Sequence, residues 1–199
     1  MDPQTLAAYE NQAAQIAERH RSVFPQRTHE MIGRFFQPGH LTADLGCGSG
    51  RDADWLSQHG FNVVGYDASP AMLAEAQRAY PHIPFVYASL PDLVEVPSAT
   101  YTNILCNAVL MHLPAASLPA AVHAIARVLV PGGRIVLSYR GSSTDAEREA
   151  DGRLFTPIHV ADLIQILGLA GLDCLAHETQ SDEQRPTVTW QVLAVERPA

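Results

Sequence analysis

The chain is 199 residues long, 47 % hydrophobic and 17 % charged, which describes an ordinary globular domain and excludes a disordered or low-complexity protein. Its net charge of −8 and pI near 5.5 argue against an extended nucleic-acid surface. No apolar run approaches the roughly 20 residues of a membrane span, and the opening MDPQTLAAYENQ lacks a signal-peptide layout, so a cytoplasmic location is expected.

Residues 3–20, PQTLAAYENQAAQIAERH, place Leu6, Tyr9, Ala13, Ile16 and Ala17 on one stripe and predict an amphipathic helix with Pro3 near its start. A second short helix, RTHEMIGRFF, is ended by Pro38 and Gly39. From Leu41 the pattern changes to an alternation of strands and helices. Apolar runs at 41–45, 61–66, 83–87, 101–106 and 134–139 predict buried parallel strands, with helices at about 51–59, 69–79, 117–130 and 157–170 between and after them. The charged stretch READGRLFTP, from Arg148, reads as a loop and a candidate acceptor wall. At the end, LDCLAHETQ and TVTWQVLAVER are joined only by the polar SDEQRP, so they are expected to pair antiparallel. The expectation is an α/β sandwich, and in such folds ligands bind beyond the C-terminal ends of the strands.

The first strand ends in LGCGSGRD. Gly46, Gly48 and Gly50 permit a tight bend and a close ligand approach. A dinucleotide fingerprint would need a third glycine at position 51, where this chain has Arg51, and no Lys-Ser/Thr pair follows Gly50 as a phosphate-binding P-loop requires. Asp52 falls in the first turn of the next helix and would compete with a phosphate for the helix dipole. A ligand without phosphates fits better. The second strand ends in Asp67, whose carboxylate suits a ribose with free hydroxyls; its other reading is a cap before SPAML, where Ser69 is the better cap. Cys47, Cys106 and Cys174 stand far apart, and the nine histidines form no HxxxH or HxH pair, so reduced thiols and no metal site are expected.

LTADLGCGSGRDADWL followed by VVGYDASPAML resembles motif I and the acidic position of the class I S-adenosylmethionine-dependent methyltransferases. YTNILCNAVLMHL is similar to that family's fourth strand and its loop, and IARVLVPGGRIVLSYR to its helix, PGG turn and fifth strand. Four motifs in order over residues 41–140 make the resemblance specific, and the GSGRDA variant is similar to small bacterial enzymes acting on small molecules. The resemblance implies a Rossmann-like three-layer sandwich with a seven-stranded, mostly parallel sheet of order 3-2-1-4-5-7-6 and an antiparallel edge hairpin. Residues 1–40 would form a helical lid and 41–199 the S-adenosylmethionine-binding unit.

For individual positions, the resemblance implies that Asp44, Gly46, Gly48 and Gly50 surround the methionine end of S-adenosylmethionine, and that Asp67 holds its ribose. Ala68, Met72, Ser89 and Leu90 fall where the adenine packs, although Met72 also fits a plain core position and Ser89 stands where similar proteins often carry an acid. Asn107 and Ala108 end the fourth strand near the sulfonium, and Tyr9 would close over the cofactor from the lid. His112 reads either as a proton acceptor facing the substrate or as a buried histidine that orients the loop. Tyr139 and Arg140 lie on the rim where a substrate would touch.

The expected activity is methyl transfer to a small-molecule O, N, S or C nucleophile, with S-adenosylhomocysteine as product and with neither nucleic acid nor membrane as partner. Two other readings share the glycine turn. An NAD-linked oxidoreductase lacks the third fingerprint glycine and a Tyr-x-x-x-Lys pair, and the chain contains no lysine. A non-catalytic S-adenosylmethionine-binding sensor keeps every feature above. Base-amine methylation is disfavoured, because residues 107–110 read Asn-Ala-Val-Leu where an Asn/Asp-Pro-Pro-aromatic motif would stand.

Overall fold

A computed structural model of the chain describes residues 1–141, 147–182 and 188–199. The N-terminal segment expected as one helix is two, α1 (Pro3–Asn11) and α2 (Ala13–Arg21), followed by α3 (Gln26–Phe35). Asp2 caps α1: its carboxylate accepts from the Thr5 amide and hydroxyl, each at 2.9 Å, and Pro3 follows in the first turn, where a missing N–H costs nothing.

Then come β1 (Leu41–Leu45), α4 (Arg51–Gln58), β2 (Asn62–Asp67), α5 (Pro70–Ala79), β3 (Phe85–Tyr87), β4 (Tyr101–Asn107), α6 (Leu118–Val128) and β5 (Leu129–Gly141). A short hairpin, β6 (Glu147–Arg148) with β7 (Leu154–Phe155), precedes α7 (Val160–Leu169), β8 (Asp173–Ser181) and β9 (Thr189–Glu196). The seven-stranded sheet has the order β3-β2-β1-β4-β5-β9-β8. Counting only its own strands, this is the expected 3-2-1-4-5-7-6. β1 to β5 pair in parallel, and β9 runs antiparallel between β5 and β8.

Side chains alternate across the central strands and divide the core in two. Ala43, Ile104, Ile135, Leu137 and Leu193 face α6 and α7, whereas Val63, Leu105, Val136 and Ala194 face Met31, Ile32 and Leu56 from α3 and α4. Leu105 and Val136 are fully buried, and each such side chain contributes about 1.5–3 kcal/mol. A third, smaller cluster joins Ala13, Ile16 and Ala17 of α2 to Met72 of α5, and so docks the N-terminal helices beside the glycine turn.

Two differences from the sequence expectation matter. β5 starts at Leu129 rather than 134, because Leu129 pairs with Tyr101 before the register shifts to Arg134 opposite Asn103. The bulge absorbs the PGG turn. The stretch read as a charged loop contains the β6–β7 hairpin, with Arg148 paired to Leu154. Most of the SDEQRP connection lies outside the described residues. Among the described residues no helix is long and apolar enough to cross a membrane, and no three His, Cys, Asp or Glu side chains cluster as a metal site.

Candidate active site

The glycine turn leaves β1 with all three glycines in the left-handed region, Gly46 at φ 71°, Gly48 at 50° and Gly50 at 77°. The Gly46 and Cys47 amides both donate to the Tyr66 carbonyl, at 2.7 and 2.9 Å, which fixes the turn to the end of β2. A Cβ on Gly46 would lie 2.4 Å from a Val109 methyl, and one on Gly50 would lie 2.8 Å from the Phe85 ring. These two glycines let neighbouring elements close in. Gly48 is different: its nearest neighbours to a Cβ are the Met72 methyl at 3.6 Å and His20 Nδ1 at 3.7 Å. A side chain there would meet ordinary contacts and no clash.

Asp67 sits at the C-terminal end of β2. Its Oδ2 accepts from the Gly48 amide at 2.8 Å and its Oδ1 from the Ser69 amide at 2.8 Å. Two donors leave lone pairs free on a carboxylate, so the group can still accept from a diol. Burial pushes its pKa up, against the pull of these amides. Ser69 caps α5 through the Met72 amide at 3.1 Å, and its hydroxyl donates to Glu10 of α1.

Beside this turn lies a small hollow lined by Met1, Leu45, Tyr66, Ala68, Ala88, Leu90 and Val109. It is apolar and lies beyond the ends of β1, β2 and β4. Of the residues expected there, Ala68 and Leu90 line it. Ser89 turns its hydroxyl onto the Leu90 carbonyl at 3.0 Å, and Met72 is fully buried against α2, in the core position that the helical spacing offered as its other reading.

Behind the turn, Asp44 is buried with Oδ2 unpartnered. Burial and the nearby Asp52 charge raise its pKa well above the carboxylate range. Asp52 is buried too but fully engaged. It accepts from His29 Nε2 at 3.1 Å, from Arg51 at 3.0 and 2.7 Å, and from the Asn107 amide at 2.8 Å. Those partners outweigh burial and hold its pKa below the usual range. Arg51, which displaced the third fingerprint glycine, also donates to the carbonyls of His20 and Val23 at 3.0 and 3.1 Å. It therefore staples the end of α2 to the glycine turn.

Asn107 was expected at the end of the fourth strand near the sulfonium, and it does end β4. Its side chain instead belongs to the Asp52 network, with Oδ1 accepting from Ser138 and, at 3.4 Å, from Thr28. Ala108 holds φ 61°, an uncommon value for a residue with a Cβ, and its amide is pinned to the Ser138 carbonyl at 3.0 Å. This bend aims Val109 at Gly46. His112 lies in the one-turn helix Leu110–His112, 3 % exposed. Its Nδ1 donates to the Leu154 carbonyl at 2.7 Å, so Nε2 carries the lone pair that receives the Tyr9 hydroxyl at 3.2 Å. Burial lowers its pKa to about 4, with the Arg153 charge adding to the shift, and the imidazole is neutral near pH 7.

Tyr139 corrects the expectation of a rim contact: its side chain is 0 % exposed within the core facing α6, where strand alternation puts it. Arg140, one residue on, points the other way, bonding Glu149 at 2.7 Å with its guanidinium 4.9 Å from the Phe155 ring centre. Sequence reasoning missed Arg51 and His29 as partners of Asp52, and missed Arg153 and Phe155 beside Tyr9. Only the Asp2–Pro3–Thr5 capping pattern carried a local signal.

Residues 43–133 match a family profile described as a methyltransferase domain. The chain is 33 % identical over 100 residues to an uncharacterized methyltransferase of Synechocystis, covering 50 % of this chain and 47 % of that one. It is 27 % identical over 133 residues to a ubiquinone biosynthesis O-methyltransferase of Alkalilimnicola ehrlichii, covering 65 % and 51 %. The chain thus spans about half the length of these relatives. Among solved structures, the 1,6-didemethyltoxoflavin-N1-methyltransferase of Burkholderia thailandensis, with S-adenosylhomocysteine bound, superposes with a TM-score of 0.76 at 19 % identity, covering 97 % of this chain and 88 % of that one.

Proposed function

We infer that this chain, whose residues 43–133 match a methyltransferase domain on the class I methyltransferase fold, binds S-adenosylmethionine in the glycine-turn crevice and transfers its methyl group to a small-molecule nucleophile. The observation that carries the reading is Asp67, which bonds the Gly48 amide at 2.8 Å and keeps free lone pairs where a ribose would sit. The unpartnered Asp44 oxygen supports it from the other end, since a cationic amine bound there would replace the proton that burial keeps on this carboxyl. When bound, S-adenosylmethionine would supply a methyl carbon already activated by its sulfonium.

What the chain contributes is alignment and dryness. Asp67 and the Gly48 amide turn would orient the ligand, and α1, tied down by the Tyr9–His112 contact, would cover it. In this role His112 is chiefly a holder of Tyr9: a pKa near 4 makes its Nε2 a poor trap for the proton of an aliphatic alcohol. The arrangement suits nucleophiles that attack with a lone pair already free. The hollow beside the turn has room for about one water molecule, far below the roughly 300–1,000 Å³ of small-molecule sites, so the N-terminal helices would act as a lid that yields on binding.

Calorimetric titration with S-adenosylhomocysteine tests the reading. Tight binding by the wild type, weakened at least tenfold by Asp67→Ala, is the expected result; no heat from folded wild-type protein would sink it. Titration with NADH separates the oxidoreductase alternative.

A further inference from the structure

Helix α1 is held by polar contacts more than by apolar burial. Its buried residues are Thr5 and Ala8, whereas α2 sinks Ala13, Ile16 and Ala17 against Met72 of α5. Between the two helices Gln12 departs from helical geometry, at φ −123° and ψ 20°. This joint lets α1 move while α2 stays docked, and the first turn of α1, farthest from the joint, travels most.

That first turn is fastened by the β6–β7 hairpin. Arg148 forks onto Asp2, Nη1 to Oδ1 at 2.8 Å and Nη2 to Oδ2 at 2.9 Å. The Gly152 carbonyl accepts from the same Nη1 at 2.8 Å and orients the fork. The Leu154 amide donates to the Thr5 hydroxyl at 2.9 Å. The hairpin is itself fixed to the loop after β4, because the Thr156 amide donates to the Met111 carbonyl at 2.8 Å and its hydroxyl to the Leu113 carbonyl at 2.6 Å. Asp2 adjoins Met1, which lines the hollow beside the glycine turn. A nucleoside does not fit in a space for about one water while this end of α1 is down. The Arg148 side chain is 37 % exposed, so water and salt reach the pair and it can part without unfolding the core.

We propose that the Asp2–Arg148 pair is a latch that holds the first turn of α1 down beside the glycine-turn crevice, and that ligand entry waits on its release. This rests on the cofactor reading and adds the step that admits the ligand. The pair stays parted while the ligand is held.

The test is surface plasmon resonance of the full chain with S-adenosylhomocysteine, read as separate association and dissociation rates. Arg148→Gln should raise the association rate about three- to tenfold and leave the dissociation rate within twofold. Arg148→Lys keeps the charge without the fork and should fall between. Asp2→Asn, which retains a helix cap, should match Arg148→Gln, and the double variant should gain nothing beyond either single change. Raising salt from about 0.05 to 0.5 M should speed association to the wild type and not to the double variant. Hydrogen exchange without ligand should quicken in α1 of the variants and stay unchanged in β1 to β5, which also shows that they fold. Association rates that none of the substitutions alters, or faster dissociation at an unchanged association rate, would overturn the latch and leave the cofactor reading standing. Wild-type protein that fails to bind S-adenosylhomocysteine removes the premise of both.

Discussion

Asp52 and Asn107 are joined by a 2.8 Å hydrogen bond that ties the first turn of α4 to the end of β4. Through the same carboxylate, His29 of α3 and Arg51 reach that point as well. One buried charge therefore links two helices, α3 and α4, to the strand end where the bend at Ala108 begins. Removing the Asp52 charge takes the acceptor from His29 Nε2, Asn107 Nδ2 and one side of Arg51, and breaking a buried ion pair costs about 3–5 kcal/mol. Asp52→Asn should lower stability by that order at pH 7, measured by urea unfolding. The sign with pH follows from its depressed pKa: the contribution is present above the unfolded carboxylate value and is lost as pH falls through the folded one. A variant as stable as the wild type at pH 7 would show that the network is ornamental.

Asp44 makes the opposite prediction. Its pKa is raised by burial and by Asp52, so the folded state holds a proton that the unfolded chain releases, and stability falls as pH rises past the usual carboxylate range. Asp44→Asn, which is neutral without taking up a proton, should therefore stabilise the ligand-free protein at pH 7. The same change should weaken S-adenosylhomocysteine binding. A rise in Tm with unchanged affinity would separate Asp44 from the ligand.

The sheet was legible because its signals are local: apolar runs of strand length, glycines at the turn and the PGG bulge all sit within a few residues. Asp67 was legible for the same reason, standing at a strand end. The network around Asp52 was not, because its partners His29 and Asn107 lie 23 residues before and 55 residues after it, on α3 and β4. Asn107 was placed correctly at the end of β4, yet side-chain direction depends on what packs alongside. Tyr139 shows the point most plainly. Its position at the end of β5 was readable, but period-two alternation counted from Ile135 already sends it into the core.

Two histidines make the N-terminal helices sensitive to acid. His20 and His112 both have pKa values lowered to about 4, chiefly by burial, with Arg51 adding to the first and Arg153 to the second. Because the unfolded chain takes up protons first, stability is full above about pH 6.5 and declines as pH falls toward 4, by at most about 3 kcal/mol per histidine. His112→Gln should flatten its share of that slope. Hydrogen exchange should show α1 opening first, since Tyr9 loses its acceptor once Nε2 is protonated. Equal slopes in wild type and variant would exclude His112 as a source.

The three glycines of the turn are not interchangeable, and alanine distinguishes them. At Gly46 an added Cβ meets Val109 at 2.4 Å, on a backbone at φ 71°, so both clash and conformation oppose it. Gly46→Ala should unfold the protein or shift the β4 loop, and Val109→Ala should rescue it only in part, since it removes the clash and leaves a left-handed penalty of about 1–2 kcal/mol. At Gly48 nothing lies within 3.4 Å of the added carbon, so only the φ penalty applies and Gly48→Ala should fold. Its methyl group would then sit against Met72 and His20, on the turn where the ligand is proposed to approach. A folded Gly48→Ala protein with S-adenosylhomocysteine affinity reduced tenfold or more is the expected outcome. Full affinity in that variant would place the ligand on some other face of the turn.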